Sequence, residues 1–125
     1  MKAVVTRVRR ASVTIDDQVN GAIGQGFLVL LGIGPEDTPE ICARLAEKIA
    51  NVRVFSDEAD KMNLSIDQAG GEFLVVSQFT LYADCKKGNR PSFVKAGAPD
   101  MAERLYEHFM DRCRNYVDVV EKGQF

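Results

Sequence analysis

The chain has one histidine, no tryptophan, three cysteines and four prolines in 125 residues. A single imidazole, His108, excludes zinc motifs of the H-x-x-x-H or H-E-x-x-H kind and leaves a Ser-His-Asp or Cys-His catalyst only one residue to be built on. His108 precedes Phe109, part of a helical apolar stripe, so it falls on the exposed flank of that helix and is read as a surface residue. Cys42, Cys85 and Cys113 are odd in number and lack C-x-x-C spacing, which argues against a disulfide framework and a thiolate zinc site; reduced thiols are expected. Long apolar runs are missing too: FLVLLGIG at Phe27 to Gly34 is far short of the ~18 residues needed to cross a bilayer. The opening MKAVVTRVRRASV has no small-residue cleavage site after a long apolar core, so the expected location is the cytoplasm and no membrane partner is expected. A net charge of -2 and a pI near 5.4 argue against a general polyanion binder that neutralises many phosphates. Basic residues gather at Lys2, Arg7, Arg9 and Arg10 and again at Lys86, Lys87, Arg90 and Lys95, clusters of a size typical of solvated surface.

What is present describes an ordinary globular chain, 46% hydrophobic and 27% charged, long enough for one domain spanning residues 1–125. Alternation through Val4, Thr6 and Val8, continued by ASVTID, predicts two closely joined strands before Asp16-Asp17. FLVLLGIG is apolar on both faces and predicts a central strand covered on both sides. Thr38 caps a helix with Pro39 in its first turn and Ile41, Leu45 and Ile49 as its buried stripe. Short strands are expected at VRVF (Val52 to Phe55), LSI and YVDVV, with SDEADKMN a polar loop. A second helix opens at Pro99-Asp100, where Asp100 with Glu103 resembles a capping box and Met101, Leu105, Phe109 and Cys113 face inward. Gly21, Gly24 and Gly26 precede a strand instead of joining strand to helix, so they are turn glycines and not a dinucleotide fingerprint. Strands and helices do not alternate strictly. The expected class is α+β: a mixed, mainly antiparallel, barrel-like sheet with two main helices packed on it.

With no imidazole pair and no metal motif, any catalyst here works with hydroxyls, backbone amides or the substrate's own groups. No cofactor or metal is expected. Attention falls on SQFTLYAD, Ser77 to Asp84, which follows the apolar FLVV and places Ser77, Gln78, Thr80 and Tyr82 where a buried strand leaves its sheet. As a plain strand the stretch is explained by β-propensity alone. A few residues on, KKGNRPSF at Lys86 to Phe93 adds a Gly-Asn turn, a rigid Arg-Pro step and an aromatic, so two polar loops can converge at one strand end, the usual place for a site.

These two stretches, with the opening MKAVVTRVRRASVTIDDQVNGAIGQGFLVLLGIGPEDT and ADKMNLSI between them, closely resemble bacterial D-aminoacyl-tRNA deacylases, formerly called D-tyrosyl-tRNA deacylases, in order and over essentially the whole chain. The resemblance implies a cytoplasmic homodimer that hydrolyses the ester between a D-amino acid, or glycine, and the terminal ribose of tRNA, held by its acceptor end. It implies that Ser77, Gln78, Phe79 and Thr80 line the catalytic pocket, with main-chain amides around Phe79 and Thr80 facing the scissile carbonyl. Arg7 is implied to hold a Gly-Pro loop of the partner subunit. Tyr82 joins the substrate-binding set, and Arg90, Pro91, Ser92 and Phe93 border an adenosine pocket. Family members continue into an N-x-G-P-V-T segment that this sequence, ending EKGQF, does not contain; the C-terminal part of the family domain is therefore expected to be missing, and chiral selection is assigned to no residue of the chain.

Overall fold

The computed structural model describes all 125 residues. In chain order they form β1 (Lys2–Val8), β2 (Ala11–Ile15), β3 (Gln18–Ile23), β4 (Gly26–Gly32), α1 (Pro39–Asn51), β5 (Phe55–Ser56), β6 (Met62–Leu64), β7 (Glu72–Ser77), a 3-10 turn (Phe79–Tyr82), α2 (Pro99–Cys113) and β8 (Val120–Lys122). The main sheet has the order β1-β4-β7-β8; β1 runs antiparallel to β4, while β4–β7 and β7–β8 are parallel. Hairpins β2–β3 and β5–β6 are antiparallel, which makes the pairing as a whole mixed and mainly antiparallel. The expected α+β class is the observed one.

Apolar alternation explains how the layers stack. Phe27, Val29 and Leu31 of β4 and Phe73 and Val75 of β7 point to one face, where both helices bury them with Phe55, Ile66, Phe109 and Met110. Each such fully buried side chain contributes roughly 1.5–3 kcal/mol. The central strand is covered less evenly than its composition implies. Hairpin β2–β3 lies over the β7–β8 half of the other face, where Gly21 lets Leu74 approach, and Leu28 and Leu30 stay only half-buried.

Helix α1 starts as expected: the Thr38 hydroxyl accepts the Ile41 N–H at 3.2 Å and Pro39 occupies the first turn. Its buried face is rotated from the expected stripe. Cys42, Ala46, Ile49 and Ala50 are buried and Ile41 is exposed, because α2 packs so closely that small residues are needed at the contact; the Cys42 thiol meets the Leu105 carbonyl at 3.3 Å. Helix α2 starts at Pro99 without a capping box, since its N-cap is Ala98 and no side chain bonds the end. Its inner face holds Leu105, Phe109 and Cys113 as expected, together with Ala102, Tyr106 and Met110, while Met101 is half-buried. The Tyr106 hydroxyl donates to the Val75 carbonyl at 2.7 Å and pins α2 to β7.

Several short elements are displaced. VRVF is paired as strand only at Phe55, LSI contributes only Leu64, the last residue of β6, and YVDVV is a turn that becomes strand at Val120. Such two- and three-residue strands are set by partners distant in sequence, which local pattern does not encode. Of the three glycines read as turn residues, only Gly24 lies in a bend. Gly26 is inside β4, where an added Cβ would lie 2.6 Å from the Glu72 nitrogen and 2.7 Å from its carbonyl carbon.

Two consequences are measurable. Gly26→Ala forces β4 and β7 apart and should lower Tm by ~5–10 °C in thermal unfolding. Burial pushes the Cys42 and Cys113 thiols up to about 12 from 9.0, and the Tyr106 hydroxyl up to about 12 from 10.0. Folding therefore favours their neutral forms; this contribution is complete below pH 9 and is lost as pH rises toward 12. Unfolding midpoints should hold up to about pH 9 and then fall as pH rises toward 12. Thiol titration of the native protein near neutrality should count one fast group, exposed Cys85, against three in denaturant.

Candidate active site

The site is built where β7 ends. Ser77 is its last residue, paired with Leu31, and the Gln78 N–H makes the final ladder bond to the Leu31 carbonyl at 2.8 Å. The chain then bends into the 3-10 turn, closed by Leu81 N–H to Gln78 O at 3.2 Å and Ala83 N–H to Thr80 O at 3.1 Å. Phe79 and Thr80 occupy the first two positions of the turn, where amides have no partner one turn back, and neither N–H enters any of the turn and loop hydrogen bonds. The polar row is thus a strand end followed by a turn, not a continuing strand. Beside these amides, the Gln78 side-chain NH2 donates to the Thr80 hydroxyl oxygen. A hydroxyl that accepts there has its own proton left to donate elsewhere.

Glycines at the end of β4 let the turn sit this close. A Cβ on Gly32 would lie 3.1 Å from Leu81 Cβ and 3.2 Å from the Gln78 oxygen, and one on Gly34 would lie 3.0 Å from the Tyr82 hydroxyl. Tyr82 accordingly lies under the turn, its ring against these glycines with Lys2 Nζ 4.6 Å from its centre. Burial, then the Asp37 carboxylate, raises its pKa above the ordinary tyrosine range. It supports the turn and does not line the apolar cavity beside it.

The second stretch folds back on the first, as expected. Asp84 and Ser92 exchange backbone hydrogen bonds of 2.7 and 2.9 Å, and the Phe79 and Phe93 rings meet edge to face at 5.4 Å and 77°. The Asp84 carboxylate accepts the Lys86 N–H at 3.0 Å and pairs with Lys95 at 3.0 Å, and these two contacts, the amide first, hold its pKa below the usual carboxylate value. A cavity of about 670 Å3 opens between Ser77, Phe79, Phe93, Gly97, Pro99 and Phe125.

Not every expected residue arrives there. Arg7 pairs with Phe27, four residues down β4 from Leu31 and so roughly 13 Å away along the strand; its guanidinium donates to the Val54 carbonyl at 2.6 Å. Arg90 and Pro91 are exposed on the loop that ends at Ser92. His108 is half-buried on α2 and outside the cavity lining. No group of three His, Cys, Asp or Glu side chains is close enough to hold a metal, and no helix is long and apolar enough to cross a membrane. Sequence reasoning missed the wall formed by Ile33, Ala96 to Pro99 and Ala102. The signal was the small-residue run Ala96-Gly97-Ala98, which only the Gly97 N–H bond to Ile33 O at 2.8 Å places beside the strand end.

Ser77 and Phe79 line the cavity, whereas Gln78 and Thr80 stand beside it and are not among its lining residues. An α+β fold with free strand-exit amides and a held hydroxyl next to an apolar cavity, and no imidazole in its wall, fits a small deacylase-type hydrolase. The chain belongs to the D-Tyr-tRNA(Tyr) deacylase family, whose model matches residues 4–125. It is 51% identical over its whole length to the D-aminoacyl-tRNA deacylase of Thermosipho africanus (strain TCF52B) and 53% identical to that of Klebsiella pneumoniae (strain 342), spanning 84% and 86% of those proteins. Among solved structures, a c-Myc DNA Unwinding Element Binding Protein superposes with a TM-score of 0.92 at 43% identity, over 100% of this chain and 85% of that one. A probable eukaryotic D-amino acid tRNA deacylase shares the fold, with a TM-score of 0.85 at 15% identity over 98% of this chain and 87% of its own.

The close fit of the turn against β4 predicts that Gly32→Ala shifts the Phe79 and Thr80 amide resonances in NMR spectra while leaving those of Val29 and Phe73 in place. Equal shifts throughout β4 and β7 would show that the turn is not the contact that yields.

Proposed function

We propose that the chain hydrolyses the ester of D-aminoacyl-tRNA, and of mischarged glycyl-tRNA, releasing the free amino acid and tRNA. Residues 1–125 act as one domain around a continuous core, in the cytoplasm and as a homodimer; exposed Val5 on edge strand β1 and Met62, which line one groove, supply an apolar face for pairing. The observation that carries the reading is the pair of unpartnered amides at Phe79 and Thr80 beside a hydroxyl oriented by Gln78.

An aminoacyl ester is already activated, so the protein needs to orient it and stabilise its oxyanion. Water adds to the carbonyl carbon, and the oxygen takes up negative charge facing the Phe79 and Thr80 amides. The ribose 2′-hydroxyl relays the proton from the attacking water to the departing 3′-oxygen, and the tetrahedral intermediate collapses to acid and tRNA. One aligned donor contributes about 3–4 kcal/mol, roughly 100- to 1000-fold in rate, so two amides are a sufficient main device. Thr80 acts by positioning the substrate: Gln78 holds its oxygen, and no base stands by to remove its proton as a nucleophile would require. Ser77, Phe79 and Phe93 line the cavity, and the Arg90 to Ser92 step leading into Phe93 is assigned to the rim at the terminal adenosine.

A second reading has its own support in the 43%-identical structure that carries the name of a DNA-element-binding protein: a dimeric nucleic-acid-binding module whose chemistry has lapsed. Purified protein given D-Tyr-tRNA and L-Tyr-tRNA separates the two. The deacylase reading expects release of D-tyrosine; binding without release supports the module. Within the deacylase reading, a substrate lacking the 2′-hydroxyl should lose at least ~100-fold in rate, and Thr80→Ser should keep most of the activity that Thr80→Ala loses. A trapped acyl-threonine, or full activity on the deoxy substrate, would contradict the substrate-assisted route.

A further inference from the structure

We infer that the loop Lys86 to Arg90 is a phosphate-gripping arm that holds the RNA backbone beyond the terminal adenosine, an inference that rests on the tRNA reading above. The charge distribution is its first ground. Residues 84–95 carry four cations and one acid, a net of +3, so the rest of the chain carries -5 against a total of -2. Lys86, Lys87 and Arg90 are exposed, and none of them enters an ion pair, in contrast to Lys95, which Asp84 holds.

Construction is the second ground. The Asp84–Ser92 bridge closes the loop at its base, the Asp84 carboxylate holds the Lys86 N–H, and Gly88 takes a φ of +69° at the tip. That base is continuous with the Phe79–Phe93 edge of the cavity, and the tip lies within about 14 Å of it. Cations so placed stand just outside the space a terminal nucleoside fills. A polyanion leaving the cavity over α2 meets Asp100 and Glu103, with Arg104 the one cation there; over the loop it meets cations only. Asp84 is a positioning residue for this arm, fixing its base without touching the RNA.

The test compares two substrates, D-Tyr-tRNA and D-tyrosyl-adenosine, which has the ester and the nucleoside but no phosphate. For Lys86→Gln/Lys87→Gln, the ratio of kcat/KM on tRNA to kcat/KM on the adenosine ester should fall about three- to tenfold, and the log–log salt slope for tRNA should shrink by about 1–2. The Lys86→Arg/Lys87→Arg variant should retain both. In the otherwise wild-type protein, a photo-crosslinker on Cys85, the exposed thiol beside Lys86, should label nucleotides inward of the terminal adenosine. An unchanged ratio and slope, or crosslinks confined to the terminal adenosine, would overturn the arm while leaving the deacylase reading intact. Failure of the wild-type chain to hydrolyse either ester overturns the deacylase reading instead, and the arm with it.

Discussion

The parallel ladder between β4 and β7 is the constraint on which the site depends. It runs in register from Gly26–Glu72 to Leu31–Ser77, starting where Gly26 admits the Glu72 backbone and ending where the pocket begins. Its last bond, Gln78 N–H to Leu31 O, fixes the point at which the chain leaves the sheet, and hence where the amides of Phe79 and Thr80 emerge. Helix α2 serves the same end. The Tyr106 hydroxyl holds α2 to the Val75 carbonyl, and Pro99 and Ala102 of α2 form a wall of the cavity, so one hydrogen bond links the core to the pocket's width.

A hydrolase with one histidine has to find its catalytic power elsewhere. Backbone amides suit the task because they are rigid, neutral and already oriented, so little reorganisation is needed as charge develops on the carbonyl oxygen. The neighbouring side chains then have modest duties. Gln78 orients a hydroxyl, Phe79 and Phe93 meet edge to face at the cavity, and Tyr82 props the turn from beneath. None of these roles requires an ionised group, which is why the proposed route takes its proton relay from the substrate's 2′-hydroxyl.

How much of this was legible in the sequence varies with the range of the interaction involved. Thr38 and Pro39 announced α1 because capping is local, and FLVLLGIG announced a central strand because its composition alone demands burial. The strand exit at Ser77 was legible for the same reason: an apolar run gives way to polar residues, and the turn follows. The rotated face of α1 was not, since Cys42 and Ala46 are buried for the sake of α2, more than fifty residues later. Nor was the wall at Ala96 to Pro99 legible: small residues carry no chemical signature, and one long-range bond to Ile33 places them. Arg7 marks the converse limit. Its place among the binding residues came from family resemblance, and within one protomer it lies along β1, distant from Thr80.

An acidic protein that acts on RNA is at odds with electrostatics only until the charges are located. A body of net -5 repels polyanions in general, while a +3 segment beside the cavity attracts one at close range. Attraction falls off over a Debye length of about 8 Å at physiological salt, so the arm acts on the phosphates next to the bound nucleoside and hardly at all on the distant tRNA body. Few contacts mean modest affinity. For a hydrolase whose product is an intact tRNA this is an advantage, because each additional phosphate contact would slow product release without bringing the ester any nearer to the two amides.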